Sequence, residues 1–162
     1  RNMTVSTCGV VPGIKELTAQ GRNINLAISL HGASMELRNR LMPINRKYPF
    51  PEVIQAADAY EKSNGRQVMY EYILLAGIND RPEDARNLAD ALEHKECVIN
   101  LIPANPVPEK GFERPTDRAV DHFFQLLKKR HLNVTVRKEM GKDINAACGQ
   151  LRASALKEAQ NQ

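Results

Sequence analysis

The sequence predicts an α/β fold built on a mostly parallel sheet, and three observations point there. Short strand-like runs alternate with amphipathic helical stretches along the chain, as repeated βα units do. One run, Asn25–Leu30 (NLAISL), is mostly apolar, as expected of a parallel strand covered on both faces. Small polar residues gather where the runs end, and in parallel βα folds ligands sit beyond the carboxyl ends of the strands. No glycine-rich dinucleotide fingerprint is present.

In chain order, Met3–Ser6 reads as a strand and Thr7-Cys8-Gly9 as a turn. Pro12 opens a helix with Ile14 and Leu17 on one face, and Gly21 ends it. After the Asn25–Leu30 strand, His31–Ser34 leads into a short helix, Met35–Leu41, which stops before Pro43. Pro51 begins a longer helix with Val53, Ala56, Ala57 and Tyr60 at helical spacing, and Asn64-Gly65 stops it. Val68–Leu75 is the next strand, and Pro82 starts a helix with the stripe Ala85, Leu88, Ala89, Leu92. Val98–Ile102 is a strand, and Pro103–Pro115 is a long proline-rich loop and a functional candidate. Thr116 caps a helix carrying Val120, Phe123, Phe124 and Leu127, Val134–Val136 is the fifth strand, and Asn145–Leu156 ends in a helix.

With 162 residues, 42% apolar and 26% charged, the chain is long enough for one domain with a real core. No apolar run approaches the ~20 residues of a membrane span. Three cysteines make no disulfide framework and suggest a reducing, cytoplasmic setting. A net charge of +4 is compatible with a nucleic-acid partner. The first residue is Arg, and the chain reads as a piece of something longer.

The strand ends collect the candidate site: Ser6-Thr7-Cys8-Gly9, Ser29-Leu30-His31, Glu71 onward to Asn79-Asp80, Asn105-Pro106 and the Arg137–Gly141 turn. Each residue also has a plainer reading. Ser6 and Thr7 can simply cap the turn, and Asn105 can be only a turn residue whose amide would equally suit an adenine or carboxylate edge. His31 can be a structural histidine or a ligand contact. Glu71 lies inside a strand and needs a partner if buried. Cys97 reads as a core residue. Cys148, in Ala146-Ala147-Cys148-Gly149, reads either as a small buried hydrophobe or as a thiol that small neighbours leave open to a bulky planar ligand.

Taken together, VSTCG-VVP, NLAISLHGASMELRNRLMPINRKYP, YEYILLAGIND, VINLIPANPVP and GKDINAACGQL resemble the RlmN family of radical S-adenosylmethionine RNA methyltransferases, in order from Met3 to Leu151. The resemblance implies the C-terminal part of a partial (βα)6 radical-SAM barrel over residues 1–162. The N-terminal accessory domain and the CxxxCxxC loop that holds the [4Fe–4S] cluster would lie outside this chain. It implies S-adenosylmethionine contacts at Ser6, Ser29, Leu30, His31 and Asn105, no metal ligand in the chain, and Cys148 as the methyl-carrying cysteine. The turn reads Gly141-Lys142-Asp143 where Gly-Asp-Asp is commoner in the family.

The implied activity is methylation of adenine C2 in 23S rRNA and tRNA through a methylated cysteine, with a reducing partner such as flavodoxin and no membrane. By itself the piece should be inactive, and an unpaired strand edge should make it associate or be marginally stable. The sister enzyme that methylates C8 of the same adenine, and a non-catalytic RNA-binding barrel fragment, are the competing readings. Arg114, Arg118, Lys128, Lys129 and Arg137 are candidate phosphate contacts.

Overall fold

The computed structural model describes residues 3–106 and 111–137. The Cys148 segment and the Asn145–Leu156 helix expectation lie outside the described residues, as does residues 107–110 of the long loop.

Among the described residues, five strands, β1 (Met3–Thr7), β2 (Ile24–Ser29), β3 (Val68–Leu74), β4 (Cys97–Pro103) and β5 (Val134–Val136), form one all-parallel sheet in the order β1-β2-β3-β4-β5. Helices α1 (Val11–Gln20), α2 (Met35–Leu41), α3 (Phe50–Asn64), α4 (Pro82–Leu92) and α5 (Asp117–Lys129) fill the connections, with a 3-10 turn at Pro43–Arg46. The predicted elements are all present among the described residues, and the 3-10 turn is additional.

Local chemistry sets the helix ends. Prolines stand in the first turn of α1, α3 and α4, where no intrahelical N–H is lost. Ser34 and Thr116 accept from the Leu37 and Ala119 N–H groups at 3.2 and 3.1 Å, capping α2 and α5. Gly21 and Gly65 close α1 and α3 in the left-handed conformation.

Strand order follows chain order, so right-handed crossovers put successive helices on the same face of the sheet. Burial agrees. Along β3 it alternates: Val68, Tyr70, Tyr72 and Leu74 are buried, and Met69, Glu71 and Ile73 are not. The buried set joins Leu26, Ile28, Ile99, Leu101 and the helix residues Val53, Ala57, Leu88 and Phe123 in one core. Tyr72 stacks at a tilt on Phe123, ring centroids 5.4 Å apart. Every buried hydroxyl must find an acceptor, and the Tyr72 hydroxyl donates to the Asn79 carbonyl at 3.0 Å.

One expectation needs correction. In β2, Leu26, Ile28 and Leu30 pack under helices, but Asn25 and Ser29 on the opposite face are only half-buried. The run looks covered on both faces because Ala27 is buried between its register neighbours Ser6 and Met69. The sheet is therefore wound on one side, as in a barrel segment. Among the described residues, edge strand β1 pairs with β2 alone, and Met3 and Val5 are 61% and 38% exposed. Among the described residues no helix is long and apolar enough to cross a membrane.

Candidate functional site at the strand ends

The carboxyl ends of β1 and β2 are fastened by one side chain. Arg38 on α2 is fully buried. Its Nη2 donates to the Cys8 carbonyl at 2.7 Å, its Nε to the Leu30 carbonyl at 3.1 Å and its Nη1 to Asn45 Oδ1 at 2.9 Å. A guanidinium offers a rigid fork of donors, so it can satisfy carbonyls that leave two different strands. Burial lowers its affinity for the proton from the ordinary value, against the smaller pull of the nearby Cys8. Asn45 is held in turn by donating Nδ2 to Asn39 Oδ1 at 2.7 Å.

Two glycines let these turns approach. Gly9 has φ +104°, and a Cβ there would lie 2.8 Å from Val53 Cγ2 and 3.2 Å from Arg38 Nη2. At Gly32 a Cβ would crowd Leu37 Cγ at 3.2 Å and the Arg38 backbone N at 3.3 Å.

Asn79 does for β2 and β3 what Arg38 does for β1 and β2. It is fully buried; Oδ1 accepts from the Leu75 N–H at 2.7 Å, and Nδ2 donates to the His31 and Ile73 carbonyls at 3.0 and 2.7 Å. His31 sits between them with φ 58°. Its Nδ1 accepts from the Ile73 N–H at 3.1 Å, which leaves the ring proton on Nε2. Burial first, then the Arg38 charge, push the imidazole down to about 4, against a smaller upward pull from the Glu71 backbone carbonyl. His31 is thus neutral at physiological pH, in the turn that leaves β2.

Ser29 ends β2, and Leu30 is buried with its carbonyl on Arg38 and its N–H on the Glu71 carbonyl at 2.9 Å. Ser6 is exposed on β1, beside Ala27 of β2 in register. Thr7, not Ser6, caps the turn: its Oγ1 accepts from the Gly9 and Val10 N–H groups at 3.2 and 3.3 Å. Asn105 is exposed just past β4, two strands from β2, after Ala104 has bonded its N–H to the Leu74 carbonyl at 2.9 Å. The fold thus sets Ser6, Ser29, Leu30, His31 and Asn105 along one sheet end. Cys148 lies outside the described residues.

Cys97 is a core residue as expected, its thiol pushed up to about 11 by burial. Among the described residues no group of three His, Cys, Asp or Glu could hold a metal ion. A groove of about 380 Å³ between β1 and α1, bordered by Val5, Ile14, Leu17 and Leu26, is mainly apolar and gathers no converging charged groups.

One residue with a part in the site, Arg38, carries no signal in the sequence. Nothing local distinguishes Arg38 from Arg40 and Arg46; only its place next to buried Leu37 and four residues past the cap Ser34 hints that it turns inward. Glu71, for which the sequence names no partner, meets Ser29, 42 residues away.

No protein-family model matches the chain. Two curated relatives share the description "Probable dual-specificity RNA methyltransferase RlmN". That of Lachnoclostridium phytofermentans is 47% identical over 154 residues, covering 95% of this chain and 43% of the relative. That of Bacillus subtilis is 49% identical over 153 residues, covering 94% and 42%. Among solved structures, a radical SAM methyltransferase from Sphaerobacter thermophilus superposes with a TM-score of 0.86 at 44% identity, over 91% of this chain and 43% of that one. A domain of pyruvate-formate lyase-activating enzyme from Bacteroides vulgatus shares the fold alone, with a TM-score of 0.65 at 15% identity, over 85% of this chain and 81% of that one. At close to half identity over some 95% of its residues, the chain is a homologue of the RlmN family along nearly its whole length, and it spans less than half the length of those curated relatives.

Proposed function

We propose that this chain is the C-terminal barrel portion of a radical S-adenosylmethionine RNA methyltransferase, and that its strand ends hold S-adenosylmethionine. The observation that carries the reading is the identity to RlmN relatives across nearly the entire chain. The residues at the rim suit such a ligand. Ser29 with Glu71 offers oxygen acceptors, neutral His31 offers an Nε2 proton, and the exposed Asn105 amide can meet an adenine edge with both donor and acceptor. Ser6 completes the proposed polar contacts, and Leu30, buried with its carbonyl and N–H both taken, holds the turn between Ser29 and His31. Arg38 and Asn79 keep these turns in place without touching the ligand.

A [4Fe–4S] cluster does not fit the residues present. Cys97 is buried in the core, Cys8 stands in the β1 turn, and no third cysteine joins them among the described residues. Its ligands are assigned to a part of the protein outside this chain.

S-adenosylmethionine, when bound, supplies an electrophilic methyl group. Cys148, as a thiolate, would accept that methyl with S-adenosylhomocysteine as the leaving group, and the small residues Ala146, Ala147 and Gly149 would let the methylated sulfur come close to a planar base. The finer reading is methylation of adenine C2 in 23S rRNA and in tRNA, with the target base out of its stack. Two RNA classes are in keeping with the "dual-specificity" of the relatives' description. A flavodoxin-like electron donor and a cytoplasmic setting belong to the same proposal.

The test uses the full-length protein with its cluster reconstituted. Cys148→Ala should abolish methyladenosine formation on RNA while leaving S-adenosylmethionine binding by calorimetry intact. Mass and NMR analysis of the nucleoside product should show the methyl group at C2. Activity that survives Cys148→Ala, or a product methylated at C8, would overturn the corresponding part of the reading.

A further inference from the structure

The connection from β2 to α3 spans residues 30–49 and is longer than those that leave β1, β3 and β4. It carries α2 and the 3-10 turn on the strand-end side of the sheet, and two anchors fix it there. Buried Arg38 ties α2 to the Cys8 and Leu30 carbonyls and to Asn45 of the 3-10 turn. Near the start of α3, Val53 stands so close to Gly9 that a Cβ on the glycine would lie 2.8 Å from it. The connection is therefore a rigid ledge beside the rim.

Its charge is one-sided. Between Glu36 and Glu52 the sequence has four basic residues and no acidic one. Arg38 turns inward to the carbonyls. The other three, Arg40 near the end of α2 and Arg46 and Lys47 at the end of the 3-10 turn, are exposed. Among the described residues none of the three is in an ion pair. Lys47 Nζ lies over the Tyr48 ring, 5.5 Å from its centroid, a contact that orients the ammonium without neutralising it. Other cations of the molecule are matched: Arg81 with Asp84, Lys95 with Asp58, and Arg130 with Asp90 and Glu93. A small anion is held by buried, converging donors. Cations that stay in solvent on a fixed surface suit the backbone of a polyanion.

We propose that Arg40, Arg46 and Lys47 bind phosphates of the substrate RNA beside the strand-end site. The inference rests on the RNA methyltransferase reading above and adds to it a place on the chain where the RNA lies. Lys128 and Lys129, which the sequence offers as phosphate contacts, are in the last turn of α5. With Lys62, near the end of α3, they lie where the helices lead back to the strand starts, at the opposite end of the sheet.

The test titrates the full-length, cluster-reconstituted protein with a fluorescent 23S rRNA fragment and with a tRNA over a series of salt concentrations. Arg40→Ala/Arg46→Ala/Lys47→Ala should weaken both RNAs by about ten- to a hundredfold at low salt and reduce the slope of log K against log salt by about 2–3. Phosphate contacts carry no sequence information, so the two RNAs should suffer alike. S-adenosylmethionine binding by calorimetry should not change. Lys62→Ala/Lys128→Ala/Lys129→Ala removes the same charge from the far end and should leave affinity and slope as in the wild type. Arg40→Gln/Arg46→Gln/Lys47→Gln serves in place of the alanine variant should that one not fold. An unchanged slope in the rim variant, an equal loss in the far-end variant, weakening of one RNA alone, or loss of S-adenosylmethionine binding along with RNA would overturn this assignment and leave the proposed function standing. Wild-type protein that binds neither RNA would overturn both.

Discussion

The two faces of this sheet are built to opposite specifications. On one, Ile28, Tyr70, Tyr72, Ile99 and Leu101 are at most 1% exposed and lock into the helices. On the other, Asn25, Ser29, Glu71, Asn100 and Thr135 are half-buried or exposed. A doubly wound sheet would bury both faces and fill both with aliphatic side chains. Here one face carries the folding free energy, and the other keeps polar groups where a ligand or substrate can reach them. Between the faces, at the strand ends, Arg38 and Asn79 are polar yet fully enclosed, so the rim is held by hydrogen bonds rather than by packing.

That contrast can be broken by mutation. The largest effect is expected at the rim. Arg38→Leu leaves the Cys8 and Leu30 carbonyls and Asn45 without their donor, and should cost about 3–5 kcal/mol in a denaturant titration. A loss under about 1 kcal/mol would mean water replaces the guanidinium and the rim is not enclosed. Next comes the helix-covered face. Leu88→Ala, from a fully buried position on α4, should cost about 2–5 kcal/mol by transfer and cavity terms.

A pH effect should follow at His31. Its folded pKa, about 4, lies below the ordinary 6.5, so between those values the unfolded chain binds more protons. Stability is full above about pH 6.5 and falls as pH drops toward 4, by at most about 3 kcal/mol and by less where solvent reaches the ring. His31→Asn, a residue that tolerates the left-handed backbone, should flatten that slope. An unchanged slope would place the acid sensitivity elsewhere. The smallest effect belongs to the helix-free face. Asn100→Ala should change stability by less than about 1 kcal/mol, and a loss comparable to that of Leu88→Ala would show that this face is packed after all.

Most of the scaffold could be read from residue order, because its signals are local. Pro12, Pro51, Pro82 and Thr116 mark helix starts within one residue of where they occur, and Gly21 and Gly65 mark ends. The rim could be read in outline, since it follows from strand ends in a parallel sheet. The fastenings could not. Arg38 reaches back 30 residues to Cys8, Asn79 reaches back 48 to His31, and Ser29 meets Glu71 across 42. Pairings at that range leave no periodic trace. The same holds for the one-sided winding: Ala27 supplies an apolar letter to β2 but too small a side chain to need a helix over it.

Gly9 sets a limit on how this turn can change over evolutionary time. Its φ of +104° excludes side-chained residues on torsional grounds, and the wall formed by Val53 excludes them on grounds of volume. Trimming Val53 to alanine would relieve only part of the second barrier, since Arg38 Nη2 would still lie 3.2 Å from a Cβ. A lineage that lost this glycine would therefore have no single compensating substitution open to it, and would have to rebuild the loop's length to recover.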